Sequence, residues 1–514
     1  MNKSENKFVK FFQPIDLTQG SVFKTLIKFA LPIFISLFLV EIYGVIDSTM
    51  YGHLLETTQI QGISNANASM YIFINLASGF TLGLSVVSSH AIGAGKIDKT
   101  RRSMVVQIIL CAIFSVIVTA IFLPLIGPML NFTGAGNSAI SVIRDEVVNN
   151  ATLYLIIVTS CFIVECFYYL FLNFLRSIGE RIFPLAYVAG MLVLAISINL
   201  LFVKGFNMGV IGVALSKFVA EAIMVIIATI FIMIKHKELR VKRDDFRISF
   251  KFIRTHLKLS LPLAFNYAII GVGLIFVQKT MNGFGQYAII AYNYSSKYND
   301  FFLTTFNAIG ATIVAFAGQN YGHGDYDRVK QGFKYALEIG IVLAFAWMIV
   351  GIFTSQDALY LNIFLSQDNL SRLSKDKDFT YYAYTYSFIS FALYPLLATT
   401  VVSRNFLEGI KRPIFPFFSG IGETGVRIFA ALALPVLING QNPMSRESFI
   451  GLSAGQPGAW LASSLIMVIP IIILFTSGML KEELSLIQAK NNKRLEEAAQ
   501  LESKEAEPVE TTNE

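Results

Sequence analysis

The hexapeptide Gly93-Ala94-Gly95-Lys96-Ile97-Asp98 has a counterpart, Gly322-His323-Gly324-Asp325-Tyr326-Asp327, at a distance of 322 − 93 = 229 residues. Two further pairs have nearly the same spacing: Ile182-Phe183-Pro184 with Ile414-Phe415-Pro416 (416 − 184 = 232), and Leu31-Pro32 with Leu261-Pro262 (262 − 32 = 230). A constant spacing between similar segments is the signature of an internal repeat. The chain is therefore predicted to contain one structural unit twice.

The composition places this repeated unit in a membrane. Of 514 residues, 54% are hydrophobic and only 15% are charged, and the mean hydropathy is +0.59, whereas soluble domains carry about 25% charged residues. A membrane-spanning helix needs about 20 apolar residues. About twelve such runs occur, near 25–51, 60–90, 103–126, 149–172, 183–203, 208–234, 257–282, 287–317, 333–353, 380–407, 413–438 and 458–479.

Two sets of six spans fit the duplication, and an even number of spans gives both copies the same orientation. The predicted fold class is an all-α membrane protein whose twelve transmembrane helices form two parallel-repeat six-helix lobes. The predicted domains are a cytoplasmic N-terminal segment 1–22, an N-lobe 23–234, a cytoplasmic linker 235–256, a C-lobe 257–480 and a charged, partly disordered cytoplasmic tail 481–514.

Basic residues indicate how the spans are oriented. Lys and Arg cluster after the even-numbered spans, as in Lys96 to Arg102 and in the linker 235–256. Short loops rich in these residues remain cytoplasmic. We therefore expect a multi-pass protein of the cytoplasmic (inner) membrane with both termini cytoplasmic, and no cleavable signal peptide, since the first apolar run is too long for one. The net charge of +7 follows from this topology and implies no nucleic-acid partner.

Catalytic motifs are lacking from the sequence. It contains neither the glycine-rich phosphate loop with its Gly-Lys-Ser/Thr ending nor a His-Glu-x-x-His pair, and its three cysteines lie in apolar spans. We therefore expect no enzyme, no catalytic residue, no cofactor and no stable metal site. Transport would then be driven by an ion gradient.

Ionisable residues within apolar spans are the best candidates for function, because each costs about 2.5 to 3.5 kcal/mol on insertion scales. Asp47 lies deep in the first span with no basic neighbour at helical spacing. A proton or a transient Na⁺ would neutralise it there. The alternative is a hydrated carboxylate near the outer end, hydrogen-bonded to Ser48 or Thr49.

Other charged residues form pairs at helical spacing. Lys217 with Glu221, and Glu423 with Arg427, stand at positions i and i+4 and so share one helix face. These pairs fit ion pairs that orient helices as well as they fit a lined cavity. Isolated charges also occur in the spans, and of these Glu41 and Lys279 are expected to face the interior. The full isolated set is Glu41, Glu165, Lys279 and Asp300.

Three groups of motifs together resemble the multidrug and toxic compound extrusion (MATE) family of secondary transporters. They are Ala30-Leu31-Pro32 with Val45-Ile46-Asp47 and Tyr51-Gly52-His53-Leu54, Gly318-Gln319-Asn320-Tyr321-Gly322-His323-Gly324-Asp325-Tyr326, and Phe406-Leu407-Glu408-Gly409-Ile410-Lys411-Arg412-Pro413. The resemblance covers essentially 23 to 480. It implies a V-shaped pair of lobes, alternating access, and export of cationic or amphipathic compounds in exchange for H⁺ or Na⁺, with Asp47 matching the family's first-span aspartate, which is implicated in cation coupling.

Departures from the family pattern leave the coupling ion open. Asn199 stands where the proton-coupled branch has an aspartate, and Lys217 stands where a Thr is usual. After Pro262, the position of the Na⁺-type branch's glutamate offers only Asn266. An ammonium in the N-lobe replaces a bound cation electrostatically, so Lys217 is a candidate partner of Asp47.

The sequence thus favours a multidrug exporter of organic cations that works by antiport, with membrane lipids around it and no obligate protein partner. The 45 Phe, 21 Tyr and 14 Met residues suit flat apolar cations, although such residues are also ordinary in membrane spans. A flippase or exporter of a lipid-linked or anionic substrate is the alternative. It predicts a basic central cavity, for which Lys217, Lys279 and Arg427 are candidates.

Overall fold

The computed structural model describes residues 14–133, 141–365 and 377–506, together with Leu370 and Leu373, and this part of the chain contains helices and no strand. The N-terminal half contains eight helices: α1 Val22–Leu54, α2 Thr57–Gly93, α3 Ile97–Phe122, α4 Ile126–Thr133, α5 Ser141–Ser160, α6 Phe162–Ser177, α7 Ile182–Leu200 and α8 Gly209–Lys235. The described residues of the C-terminal half form a further ten α-helices: α9 Phe250–Gly283, α10 Gln286–His323, α11 Tyr326–Ser355, α12 Leu361–Phe364, α13 Lys377–Ala392, α14 Tyr394–Gly409, α15 Ile414–Leu432, α16 Leu434–Ile438, α17 Phe449–Thr476 and α18 Met479–Ala506.

These helices supply the predicted membrane spans. Nine segments of the described chain are long and apolar enough to cross a bilayer, and the bent pairs α5–α6 and α13–α14 raise the number to 11. Helices α15 and α16 together lie within the predicted run 413–438. The all-α membrane fold predicted from the sequence is confirmed.

The duplication extends to the irregularities of the helices. The α5–α6 pair bends by 50° around Cys161, and the α13–α14 pair bends by 54° around Leu393, a spacing of 393 − 161 = 232. A π-helical turn follows α7 at Leu201, and α15 is interrupted at Ala433, again 433 − 201 = 232 residues later. Pro395 explains the second bend, because proline lacks the amide hydrogen that continues a helix.

The two lobes meet where α2 crosses α10, at the end of the bundle that carries the basic loops after α2 and α14, here called the basic end. A Cβ atom on Gly93 would overlap the carbonyl oxygen of Gln319, and one on Gly322 would overlap that of His90. Both glycines belong to the repeated hexapeptide, so the repeat marks the closest approach of the two backbones.

Hydrogen bonds fasten this crossing. His90 Nε2 lies 2.6 Å from the carbonyl oxygen of Gly409, to which it donates because a carbonyl can only accept. Ser89 Oγ donates to the Ala315 carbonyl at 3.2 Å. Each bond joins α2 to a helix of the other lobe, and both pass through buried side chains. The basic end is therefore closed.

Helix α1 belongs to both lobes. Its first half packs into an apolar core of the C-terminal half, where Phe29 and Ile33 lie in one cluster with Phe316 and Val402. Its second half carries Asp47 to α7 of the N-lobe. A shift of α1 would therefore change contacts in both lobes.

Helix α18 also contacts both lobes. Leu480 and Leu484 are fully buried, and the Glu483 carboxylate pairs with Arg412 of the C-lobe at 2.6 Å. Further along, Asn491 Nδ2 donates to the Gly322 carbonyl at 3.0 Å, and Arg494 Nη2 donates to the Ala94 carbonyl at 3.2 Å. The predicted tail 481–514 is thus helical to Ala506, and 507–514 lie outside the described residues.

The linker 235–256 lies against the N-lobe. Asp245 is buried and accepts a hydrogen bond from Arg101 Nε at 2.5 Å. Burial would raise the pKa of Asp245, but the hydrogen bond and charge of Arg101 outweigh it, so the pKa lies below its usual range. This ionised contact holds the linker beside α3.

We expect Gly93→Ala to lower the unfolding temperature in detergent, because the added methyl group has no space at the α2–α10 crossing and overpacking costs about 1–3 kcal/mol. Gly425→Ala is the matched control, since a Cβ there meets no atom within 4 Å. Thermal unfolding of the purified variants measures both effects. Equal unfolding temperatures for the two variants would contradict the close crossing.

Candidate functional site

Two buried carboxylates and a half-buried ammonium group form what we call the N-lobe charge cluster: Glu165 on α6, and Lys217 and Glu221 on α8. Lys217 Nζ lies 2.7 Å from Glu165 Oε2 and 3.5 Å from Glu221 Oε1. The i, i+4 pair expected from the sequence is therefore present. Glu165 joins it from a second helix, because the bend at Cys161 directs α6 toward α8.

The cluster has more carboxylates than ammonium groups. With all three groups ionised, its net charge is 2 × (−1) + 1 = −1. Among the described residues, Glu165 Oε1 and both carboxylate oxygens of Glu221 have no hydrogen-bond partner. An uncompensated charge is costly in an apolar interior. The cluster is therefore suited to binding one further positive charge.

Asp47 lies nearby and contacts Asn199. Asn199 Nδ2 donates to Asp47 Oδ1 at 3.2 Å, which joins α1 to α7 just before the π-helical turn. Asp47 and Lys217 both act electrostatically on Tyr43, so Asp47 and the cluster belong to one region of the N-lobe. The suggested pairing of Lys217 with Asp47 stays a prediction.

The C-lobe contains a second set of charges, here called the C-lobe charge cluster: Arg404 and Glu408 on α14, and Glu423 and Arg427 on α15, all of them buried except the half-buried Arg404. Arg427 Nη1 donates to Glu423 Oε2 at 3.1 Å, and Arg404 donates to the other oxygen of Glu423. Arg427 Nε also donates to Gln456 Oε1 at 3.0 Å. Two guanidinium groups and two carboxylates give this cluster no net charge.

The buried polar side chains of the C-lobe that lack hydrogen bonds within the described residues include one carboxylate and one amide. They are Glu408, through both carboxylate oxygens, and Asn266, through both amide atoms. Asn266 lies against Gly420, where a Cβ would overlap its Oδ1. Such groups are costly to bury, so each is a candidate for a ligand or for a partner in another conformation.

Acidic and aromatic side chains face each other between the lobes. Glu41 on α1 acts electrostatically on Asp300 on α10. On the same two helices, the rings of Phe38 and Phe301 lie 5.5 Å apart. Glu41 and Asp300 therefore lie within electrostatic range of each other on the two helices that the Phe38–Phe301 contact joins. Lys297, also on α10, moderates the negative charge there.

The positions of the remaining predicted residues are less informative. Lys279 is exposed on α9, and nothing in the described chain tests its expected interior role. The side chains of Ser48 and Thr49, the alternative partners of Asp47, lie outside the described residues. The expectation that the chain has no stable metal site likewise stays a prediction.

Three site residues were missed as site candidates by sequence reasoning. Glu165 has no partner at helical spacing because Lys217 is on another helix, and Arg404 likewise pairs with Glu423 on the next helix. For Glu408, the internal repeat offers one sequence signal of a functional position. It occupies the repeat position of Arg176 (408 − 176 = 232), which also has buried nitrogens without hydrogen bonds in the described chain.

Comparisons with known proteins agree with this architecture. The MatE family model matches residues 32–201 and 262–432, which begin 262 − 32 = 230 residues apart, as the internal repeat does. "Multidrug export protein MepA" of Staphylococcus saprophyticus is 23% identical over 337 residues, covering 66% of this chain and 72% of that protein. "Probable multidrug resistance protein YpnP" of Bacillus subtilis is 26% identical over 321 residues, covering 61% and 68%.

Solved structures show the same fold. A "multidrug resistance MATE family transporter of the MOP superfamily" in its outward-facing conformation has a TM-score of 0.76 at 15% identity, covering 93% of this chain and 99% of that chain. A MATE structure in complex with MaL6 has a TM-score of 0.74 at 15% identity, covering 92% and 98%. These neighbours have the V-shaped fold, and the present helices share it.

Lys217→Met tests the electrostatics of the N-lobe charge cluster. Removing the ammonium leaves Glu165 and Glu221 buried without a cation, and breaking a buried ion pair from one side costs about 3–5 kcal/mol. We expect a large loss of thermal stability at neutral pH, partly restored by adding Glu165→Gln. The control is Lys334→Met, whose pair with Glu338 is exposed and contributes about 0–1 kcal/mol. Similar losses in the two lysine variants would contradict the cluster.

Proposed function

Since the chain belongs to the MatE family, we propose that it exports cationic or amphipathic compounds from the cytoplasm in exchange for protons. The names of its relatives, a multidrug export protein and a probable multidrug resistance protein, support a broad substrate range. The observation that carries the proposal is the N-lobe charge cluster, in which two buried carboxylates share one ammonium. The protein would lie in the cytoplasmic membrane with its basic end facing the cytoplasm.

The arrangement of charges favours a cationic substrate. Between the lobes, Glu41 and Asp300 attract positive charge, and the neighbouring Phe38 and Phe301 supply ring faces for cation-π contact. A flippase for an anionic substrate would instead need free basic groups in the cavity. Lys217 and Arg427, two of the three candidates for that role, are engaged with carboxylates.

The same reasoning favours a proton over Na⁺ as the coupling ion. The ammonium of Lys217 already lies within 3.5 Å of both carboxylates, so a metal cation beside Glu221 would face a like charge at short range. A proton cancels the excess negative charge on a carboxylate oxygen itself and needs no coordination shell. Asp47, held by Asn199, is the second proton-accepting group of the region.

Helix α1 would carry the effect of protonation to the C-lobe. When a proton neutralises Glu221, Lys217 forms an ion pair with Glu165 alone, and the electrostatic attraction between α8 and α6 changes. Asp47, in the same region, is on the half of α1 that contacts the N-lobe, while Phe29 and Ile33 anchor the other half in the C-lobe core. A closed basic end is the arrangement expected when the substrate pathway is shut on the cytoplasmic side.

Transport in liposomes tests the coupling. We expect efflux of a fluorescent organic cation from liposomes containing the purified chain to be driven by a pH gradient and not by a Na⁺ gradient. Glu221→Gln should reduce the pH-driven rate at least about tenfold, the equivalent of ~1.4 kcal/mol, because an amide cannot take up the proton.

Glu338→Gln is the matched control, since that carboxylate is exposed and pairs only loosely with Lys334 at 3.8 Å. Its transport rate should equal that of the unmodified protein. Movement driven by Na⁺ alone would contradict proton coupling. No movement of any cation under either gradient would favour the flippase alternative.

Substrate selectivity gives a separate prediction. Neutralising Glu41 and Asp300 together, as Glu41→Gln with Asp300→Asn, should weaken binding of a monovalent cation about fivefold to tenfold, at about 1 kcal/mol in total for partly hydrated charges. A neutral amphipathic compound of similar size should bind as before. Tryptophan-quenching or scintillation proximity titrations measure both, and an equal loss for the two compounds would contradict a role of these carboxylates in charge recognition.

A further inference from the structure

A cavity of about 750 Å³ lies at the basic end, away from both charge clusters. Its walls come from three parts of the chain that are distant in sequence: the start of α3, the linker, and α18. Five basic residues line it: Lys96, Lys99, Arg102, Arg247 and Arg494. Asp98, the acidic residue of the lining, is already engaged by Arg101 at 2.6 Å. The cavity therefore has a large excess of positive charge.

Specific contacts hold these charges together. Lys96 Nζ donates to Asn491 Oδ1 at 3.1 Å, and Arg494 Nη2 donates to the carbonyl oxygens of Ala94 and Gly95 at 3.2 and 3.3 Å. Burial and the like charges of Arg494, Lys99 and Lys490 lower the pKa of Lys96. Membrane orientation explains why this end is basic, but it does not require the basic groups to converge on one cavity. Their convergence costs energy that a bound anion would recover.

The rest of the cavity wall is apolar. Ile97, Ile248, Phe252 and Leu495 contribute to it. Beside it, Phe246 and Phe250 of the linker segment are 61% and 78% exposed, although their neighbours in sequence are charged. Exposed apolar side chains in a charged segment at the end of a membrane bundle are suited to the boundary between headgroups and acyl chains. The cavity thus opens where lipid headgroups lie.

We propose that this cavity binds the phosphate headgroup of an acidic phospholipid from the leaflet at the basic end. The basic groups engage the phosphate, with arginine able to donate two parallel hydrogen bonds, and the apolar wall contacts the glycerol and the first acyl carbons. Helix α18 contacts Gly322 of the C-lobe and Ala94 of the N-lobe. A lipid bound against it stabilises the closed basic end. This site is independent of the transported substrate.

The test compares the full chain in nanodiscs of phosphatidylcholine with and without phosphatidylglycerol. Thermal unfolding and native mass spectrometry measure stabilisation and the number of bound lipids. We expect phosphatidylglycerol to bind and to raise the unfolding temperature. The triple variant Lys96→Gln, Lys99→Gln, Arg494→Gln should lose at least about tenfold in affinity, given roughly 1 kcal/mol per basic residue near an anionic surface.

A charge-matched variant controls for surface electrostatics. Lys330→Gln, Lys334→Gln, Lys481→Gln also removes three positive charges, from residues of the C-terminal half that are exposed and do not line the cavity. It should bind phosphatidylglycerol as the unmodified chain does. Arg247→Gln is a second cavity variant with little risk to folding, since this side chain is 86% exposed, and it should weaken binding partially.

Three results would overturn the proposal. Equal losses in the two triple variants would show diffuse attraction rather than a site. Equal stability with and without phosphatidylglycerol would show that no lipid binds. Stabilisation by dissolved pyrophosphate in phosphatidylcholine nanodiscs, at least as large as that by phosphatidylglycerol, would assign the cavity to a soluble phosphate compound instead.

Discussion

The crossing of α2 and α10 at Gly93 and Gly322 is the constraint on which the arrangement of the lobes depends. Because neither residue has a side chain, the two backbones approach closely enough for His90 to reach Gly409 across the interface. The lobes also share apolar surface beside this crossing, because Ala264 of α9 belongs to the N-lobe core and Leu259 of α9 packs with Val86 and Val87 of α2. The association of the lobes therefore rests on the crossing together with the α2–α9 contact, α1 and α18.

The two lobes have the same fold but different internal charge. In the C-lobe charge cluster, Arg404 and Arg427 both pair with Glu423, and the negative charge of Glu408 brings the net charge of the cluster to zero. In the N-lobe charge cluster, Lys217 contacts two carboxylates, so the cluster has a net charge of −1. The duplication therefore supplies the same scaffold twice. The charges within the two lobes differ, because residues at matching positions, such as Arg176 and Glu408, have opposite charge.

Sequence reasoning recovered the features that depend on short-range periodicity. The repeat, the apolar runs and the pairs Lys217–Glu221 and Glu423–Arg427 all follow from spacing along one helix. It could not find Glu165 or Arg404 as partners, because their contacts depend on how separate helices cross. Neither bend was predicted from the sequence, although Pro395 is a sequence signal for the bend before α14, whereas the bend at Cys161 has no proline to mark it. The basic cavity was also missed, since its walls are distant in sequence.

The single excess negative charge of the N-lobe charge cluster has an electrical consequence. If it takes up one proton per cycle and one monovalent cation leaves in return, the cycle moves no net charge across the bilayer. The membrane potential, worth about 2.3 kcal/mol per elementary charge per 100 mV, would then neither drive nor oppose export. Exchange against a divalent compound would instead be electrogenic and would work against the negative interior of the cell.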